Sequence, residues 1–311
     1  MIKSENYHSK NFRCNLCPRK CNVLRNNGQK GFCGLGSGLF VSASVLHHGE
    51  EPCFSNDKGV GNFFFTSCNL QCVYCQNFQI SIKKKGKEIS ENDFINDALS
   101  FQKIEANFIG LVSPSHQGPW IRSALKKAKD KGLFLPIIYN SSAYDSIDEL
   151  KKWEGLVDVY LPDLKYASNE ISLKYSNVGN YKEISRNVIM EMYNQKGDIQ
   201  INPETGMAKK GLWVRHLVLP NNLADSWESL CFLSLELSTK IGLSIMAQYE
   251  PVYKAKKFPK LARNITEDEY NEVLKMARDL GFEYIVTQNL KSSPKNALPD
   301  FNQINPFKGC N

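Results

Sequence analysis

The sequence predicts an α/β fold, an open, incomplete (β/α)6 barrel behind a loop-rich, cysteine-bearing N-terminal segment. Three observations predict it. From Gly61 onward, apolar runs of strand length alternate with segments of helical period, the pattern of βα units around a parallel sheet. The helical segments carry start and stop signals at their ends. A chain of 311 residues, with 42% hydrophobic and 23% charged residues, is long enough and balanced enough for one sizeable core. A flat, doubly wound sheet is the other arrangement of such units, but no G-x-G-x-x-G follows the first strand.

The elements follow in order. Residues 1–55 hold CNLCPRKC, GFCG and GLGSG, and only VSASVL reads as regular structure. Residues 56–253 supply six strands: NFFFT (62–66), NFIGLV (107–112), LFLPIIY (133–139), LVDVYL (156–161), LWVRHLVL (212–219) and LSIMAQY (243–249). Ile121, Ala124, Leu125 and Ala128 form one apolar stripe that ends before Gly132. Ser146 with Glu149 reads as a capping box. So does Thr266 with Glu269, at the head of a helix in residues 254–311 that sets Tyr270, Val273, Leu274, Ala277 and Leu280 on one face and stops at Gly281. Core packing explains these stripes without any function.

Composition excludes several classes. No apolar run, Gly132 to Tyr139 included, approaches the ~18 residues of a membrane span. The start, MIKSENYHSK, has no secretory core, so the cytoplasm is the expected address. The charge, 39 Lys+Arg against 32 Asp+Glu, gives +7, a mild excess; the clusters at 83–87 and 126–131 read as solvated faces, and a nucleic-acid partner is not expected.

Of ten cysteines, Cys14, Cys17, Cys21, Cys33, Cys53, Cys68, Cys72 and Cys75 fall in the first 75 residues, and clustered reduced thiols point to metal. Cys231 reads as a packed thiol and Cys310 as an exposed one. Cys68, Cys72 and Cys75 make C-x3-C-x2-C directly after the first strand. Three soft ligands on one short loop suit three irons of a cubane iron–sulfur cluster and leave the fourth iron open to a small chelating molecule. Zinc at this loop would need a fourth ligand such as Cys53, His47 or His116. A non-catalytic electron-transfer protein would also need a fourth ligand. Cys14, Cys17, Cys21 and Cys33 make C-x2-C-x3-C-x11-C, sufficient for zinc or for a second iron–sulfur cluster.

With Tyr74 before its last cysteine, this loop resembles the signature of the radical S-adenosylmethionine (radical SAM) superfamily. From Cys14 to about Pro251, CNLCPRKC, GFCG, EEP, SCNLQCVYCQN, SPSH, YNSSAY, VDVYLPDLKY, VRHLVLP and MAQYEP resemble its uncharacterised pyruvate formate-lyase activating enzyme-like subgroup. The resemblance implies a radical SAM barrel, a [4Fe–4S] cluster, and SAM chelated to the open iron. It also implies reductive cleavage of SAM to methionine and a 5′-deoxyadenosyl radical, which takes a hydrogen atom from a substrate. A low-potential donor such as flavodoxin or ferredoxin would supply the electron.

By the same resemblance Tyr74 lies against the adenine. Ser113 or His116 stands in for the absent Gly-Gly-Glu segment that meets the SAM amino group. Asn140 follows the third strand, Asp163 and Lys165 follow the fourth with Lys165 facing the SAM carboxylate, and His216 lies near ribose and adenine. Arg215 and His216 point to opposite faces of their strand, and Gln248 and Glu250 are expected at a substrate pocket. The substrate implied is a protein or peptide glycyl site, with a radical SAM enzyme modifying nucleic acid as the alternative.

Overall fold

A computed structural model describes residues 7–290 and 298–308; Cys310 lies outside them. Its strands are β1 (Leu39–His47), β2 (Val60–Phe65), β3 (Lys87–Ile89), β4 (Phe108–Val112), β5 (Ile137–Ser141), β6 (Val159–Pro162), β7 (Gln200–Ile201), β8 (Ala208–Leu217), β9 (Gly242–Met246) and β10 (Tyr284–Thr287). The helices are α1 (Phe78–Ser81), α2 (Glu91–Lys103), α3 (Gly118–Asp130), α4 (Ile147–Leu150), α5 (Asn169–Ser176), α6 (Tyr181–Lys196), α7 (Ser226–Glu236) and α8 (Glu267–Asp279).

One sheet runs in the order β10-β9-β8-β6-β5-β4-β2-β1-β3, with β7 paired to β8. β2, β4, β5, β6, β8, β9 and β10 are parallel, and β1 returns antiparallel against β2. The six expected strands are all present. β10 is an addition that the alternation of apolar and polar residues did not announce, because none of its four residues is fully buried. The third expected strand starts later than predicted, at Ile137, just after Pro136, which has no N–H for a ladder.

The sheet curls into a partial barrel. β2 and β8 are four strand positions apart, ~19 Å in a flat sheet, yet Asn62 of β2 and Arg215 of β8 both donate to the one carboxylate of Glu50. Val60, Phe108, Ile138, Val159, Leu161 and Trp213 face inward and form one cluster around Phe54, which plugs the base. Gly110 is required there: a Cβ would stand 1.8 Å from Asn62 Oδ1. The outward residues, including Phe63, Ile109, Ile137, Val214 and Ile245, pack against the helices. The stripe Ile121, Ala124, Leu125 and Ala128 of α3 is completely buried, as expected, each larger side chain contributing about 1.5 to 3 kcal/mol.

The two expected capping boxes differ in outcome. At α8, Thr266 Oγ1 accepts from Glu269 N, and Glu269 accepts from Thr266 N. Ser146 caps nothing with its side chain, because the Glu149 carboxylate goes instead to Arg122 at 2.9 Å and Lys152 at 2.6 Å, and α4 lasts one turn. Cys231 is half-buried. Among the described residues no helix is long and apolar enough to cross a membrane.

Candidate active site at the carboxyl ends of the strands

β2 ends at Phe65, and the chain turns into the cysteine loop through Ser67, whose φ of 76° is left-handed. The turn is held by Ser67 N donating to Ile80 O at 2.9 Å and Ser67 Oγ donating to Cys33 O at 2.6 Å. Gln71 (φ 68°) bends the loop again between Cys68 and Cys72, and Ser113 (φ 60°) bends the chain after β4. Three non-glycine residues in this sparsely populated region at one cavity are the kind of strain that clusters at functional sites.

Cys68, Cys72 and Cys75 line a solvent-open cavity with about 1080 Å³ of empty space, together with residues from the ends of β4, β5, β6, β8 and β9. Ser176 Oγ donates to Cys72 Sγ at 2.9 Å, and Ser81 Oγ lies 3.2 Å from Cys75 Sγ. Burial pushes the Cys75 thiol up to about 12 and raises Cys72 as well. A positively charged metal core is what turns such buried groups into thiolates.

Of the expected cofactor contacts, Tyr74, Ser113, Asn140, Asp163 and Lys165 all line this cavity. Ser113 N donates to Asn140 O at 2.8 Å, tying two strand ends together. Lys165 Nζ pairs with Asp163 Oδ2 at 2.8 Å. Burial alone would lower the Lys165 pKa, but the Asp163 carboxylate outweighs it and holds the ammonium above its usual range. Gln248 also lines the cavity, whereas Glu250 is half-buried and does not.

Two expected contacts lie elsewhere. His216 faces the helices: Nδ1 is 2.9 Å from Leu164 O, Nε2 is 2.9 Å from Ser226 Oγ, and burial pushes it down to about 4. It is a satisfied core histidine, and the inward position belongs to Arg215. His116 is buried behind the cavity with Nε2 2.7 Å from Thr66 O, beside the N-terminal cysteines. Nor do Cys53 or His47, the other fourth ligands considered for zinc, line the cavity.

Sequence reasoning missed how Arg215 is used. It donates from Nε to Glu51 Oε1 at 2.8 Å and from Nη2 to Glu51 Oε2 at 2.6 Å, and Nη2 also reaches Glu50. Asn62 Nδ2 donates to Glu50 at 2.6 Å and Ser244 Oγ to Glu51 at 2.7 Å, so one charged cluster spans β2, β8 and β9. Both faces of β8 carry apolar neighbours, so alternation could not have told which of Arg215 and His216 points inward.

The N-terminal thiols gather separately. Cys14, Cys17, Cys21 and Cys33 line one small cavity, with Cys14, Cys17 and Cys33 buried. Cys14 N and O pair with Val23 and Asn22, and Phe32 N donates to Cys21 Sγ at 3.2 Å. Gly31 has to be glycine, since a Cβ would lie 2.9 Å from Cys21 Sγ. Burial pushes Cys17 up to about 12. Arg19 joins this segment to the cysteine loop by donating to Asn69 O at 2.8 Å and to Asn177 O at 2.7 Å.

No protein-family model matches the chain. An uncharacterised protein of Methanocaldococcus jannaschii is 29% identical over 282 residues, covering 88% of this chain and 76% of that one. The pyruvate formate-lyase 1-activating enzyme of Escherichia coli is 24% identical over 183 residues, covering 56% of this chain and 67% of that enzyme. Among solved structures, methylornithine synthase (PylB) overlays with a TM-score of 0.49 at 14% identity, covering 75% of this chain and 71% of that one. In this chain the three-cysteine loop follows the carboxyl end of β2, the first of its parallel strands.

Proposed function

We propose that this chain is a radical SAM enzyme that cleaves SAM reductively, holding a [4Fe–4S] cluster on Cys68, Cys72 and Cys75. The supporting observation is the donor set: three thiols of one loop face a cavity whose other lining residues include no cysteine or histidine. When bound, the cluster would pass one electron to SAM, giving methionine and a 5′-deoxyadenosyl radical that abstracts a hydrogen atom. The chain's own residues bind and orient. Lys165, paired with Asp163, would offer its ammonium to the SAM carboxylate; Asn140 and Ser113 would offer polar groups from adjacent strand ends; and Tyr74, packed against Tyr166 and Tyr249, would meet the adenine. Ser81 and Ser176 fix two of the thiols by hydrogen bonds.

The electron would come from a low-potential flavodoxin or ferredoxin, and the similarity to a pyruvate formate-lyase activating enzyme supports a glycyl or peptide substrate. Cys14, Cys17, Cys21 and Cys33 would hold a second metal, zinc or another iron–sulfur cluster. The test is anaerobic reconstitution with iron and sulfide, reduction in the presence of SAM, and assay for 5′-deoxyadenosine. Wild-type protein should produce it, and Cys68→Ala/Cys72→Ala/Cys75→Ala should not, while keeping its fold by circular dichroism. A cluster that forms and is reduced while SAM is neither bound nor cleaved would make the protein an electron carrier instead.

A further inference from the structure

Arg25 is a buried cation with no carboxylate beside it. Only 2% of it is exposed. Its Nε donates to Gly36 O at 2.8 Å, Nη1 donates to His116 O at 2.7 Å, and Nη2 also reaches Gly36 O. The guanidinium sits 4.6 Å from the centre of the Trp120 ring. All of these partners are neutral, and Arg25 forms no ion pair among the described residues. Taking an ion out of water costs several kcal/mol unless an opposite charge compensates it, and a guanidinium cannot escape by losing its proton.

The remaining neighbour is sulfur. Nη1 lies 4.0 Å from Cys14 Sγ, and Arg25 lines the same cavity as Cys14, Cys17, Cys21 and Cys33. Arg19 lines it too, and its hydrogen bonds also go only to carbonyls, those of Asn69, Leu70 and Asn177. Four thiolates around a divalent core, whether a zinc ion or an iron–sulfur cube, make a dianion. Two guanidiniums without carboxylates beside four thiols are what a buried dianion requires.

We propose that Cys14, Cys17, Cys21 and Cys33 form an anionic tetrathiolate metal centre and that Arg25 is its buried counter-ion. The inference rests on these thiols holding metal and not on the radical chemistry. Arg25 does not ligate; it is a positioning residue that ties the centre, through His116 O, to the loop that follows β4.

The experiment uses the full chain with Cys68→Ala/Cys72→Ala/Cys75→Ala, so that any metal counted belongs to the N-terminal thiols. Zinc and iron are quantified after anaerobic purification, and metal release to a chelator is timed. One centre should be retained, zinc or iron content telling which kind. Arg25→Gln, which loses the charge, should release it at least about tenfold faster. Arg25→Lys, which keeps the charge but loses the fork, should lie closer to the parent. The Tm of each variant is also compared in metal-loaded and chelator-stripped forms. Arg25→Gln should lower Tm more in the loaded form, because only there does it remove an ion pair as well as hydrogen bonds. Equal Tm losses with an unchanged release rate, or a Lys variant that loses metal as readily as Gln, would overturn the counter-ion role. A parent with no metal and freely reactive thiols would refute the metal centre itself.

Discussion

Lys165 and Asp163 stand two residues apart just past β6, with the ammonium and carboxylate paired at 2.8 Å inside the mouth of the barrel. The pair occupies one of three ammonium donors, which leaves the others for a ligand. Lys165→Met keeps most of the stem and removes the charge, so losing one charge-assisted hydrogen bond should weaken SAM binding roughly 10-fold to 150-fold. Calorimetry on the reconstituted variant measures this, and wild-type affinity would return Lys165 to a structural role.

His216 makes a different residue-scale prediction. Burial pushes it down to about 4 from 6.5. Above 6.5 neither the folded nor the unfolded chain protonates it. As pH falls from 6.5 toward 4, the unfolded chain binds a proton that the folded one refuses, so stability drops. The loss from this residue between about pH 7 and about pH 5 should be about 2 kcal/mol. Urea unfolding of wild type and His216→Gln at both pH values should show a pH dependence shallower by that amount in the variant, and parallel behaviour would mean that His216 is not held neutral.

At the scale of single elements, short-range chemistry decides most of what is seen. The capping box of α8 satisfies two backbone donors at the helix start, and Glu269 also accepts from Arg263 Nη1 at 2.7 Å, which holds its carboxyl down to about 2. Thr266→Ala should therefore cost about 1 kcal/mol in urea unfolding while leaving SAM binding unchanged, because α8 packs on the outside of the sheet. A loss below the error of extrapolation would mean that Arg263 and Glu269 hold the helix start without the cap. α4 is the counterexample: the same spacing is present at Ser146 and Glu149, but the carboxylate has two basic partners within reach and leaves the backbone uncapped. The cysteine loop belongs to this scale too. Its thiol spacing was legible from the chain alone, while the serines that position two of the thiols, Ser81 and Ser176, come from α1 and α5.

For the whole molecule, the interior charge cluster is the element that crosses the barrel. Arg215 compensates two carboxylates, Glu50 and Glu51; burial would raise Glu50, but the guanidinium outweighs it and keeps that carboxyl ionised. Arg215→Met would leave both carboxylates inside without a cation and should destabilise the fold by about 3 to 5 kcal/mol. Adding Glu50→Gln and Glu51→Gln should restore part of that loss. Urea titration of the single and triple variants tests this; a loss under about 1 kcal/mol in the single variant would mean that water already solvates the cluster.

The sequence by itself determined the six apolar strands, the stripes of α3 and α8, the three-thiol loop and the set of four N-terminal thiols, because each depends on neighbours a few residues apart, through period, capping or ligand spacing. Only the tertiary structure decided which face of β8 points inward, and hence that Arg215 and not His216 reaches the cavity. It alone placed His116 beside the N-terminal thiols, added β10 at the sheet edge, and left Arg25 buried among carbonyls and sulfur. Those outcomes depend on sheet curvature and on charge partners tens or hundreds of residues away: Arg215 meets Glu51 across 164 positions and Arg25 meets His116 across 91. No local pattern encodes such pairings, since what fixes them is the cost of leaving a charge or a backbone carbonyl alone in the interior.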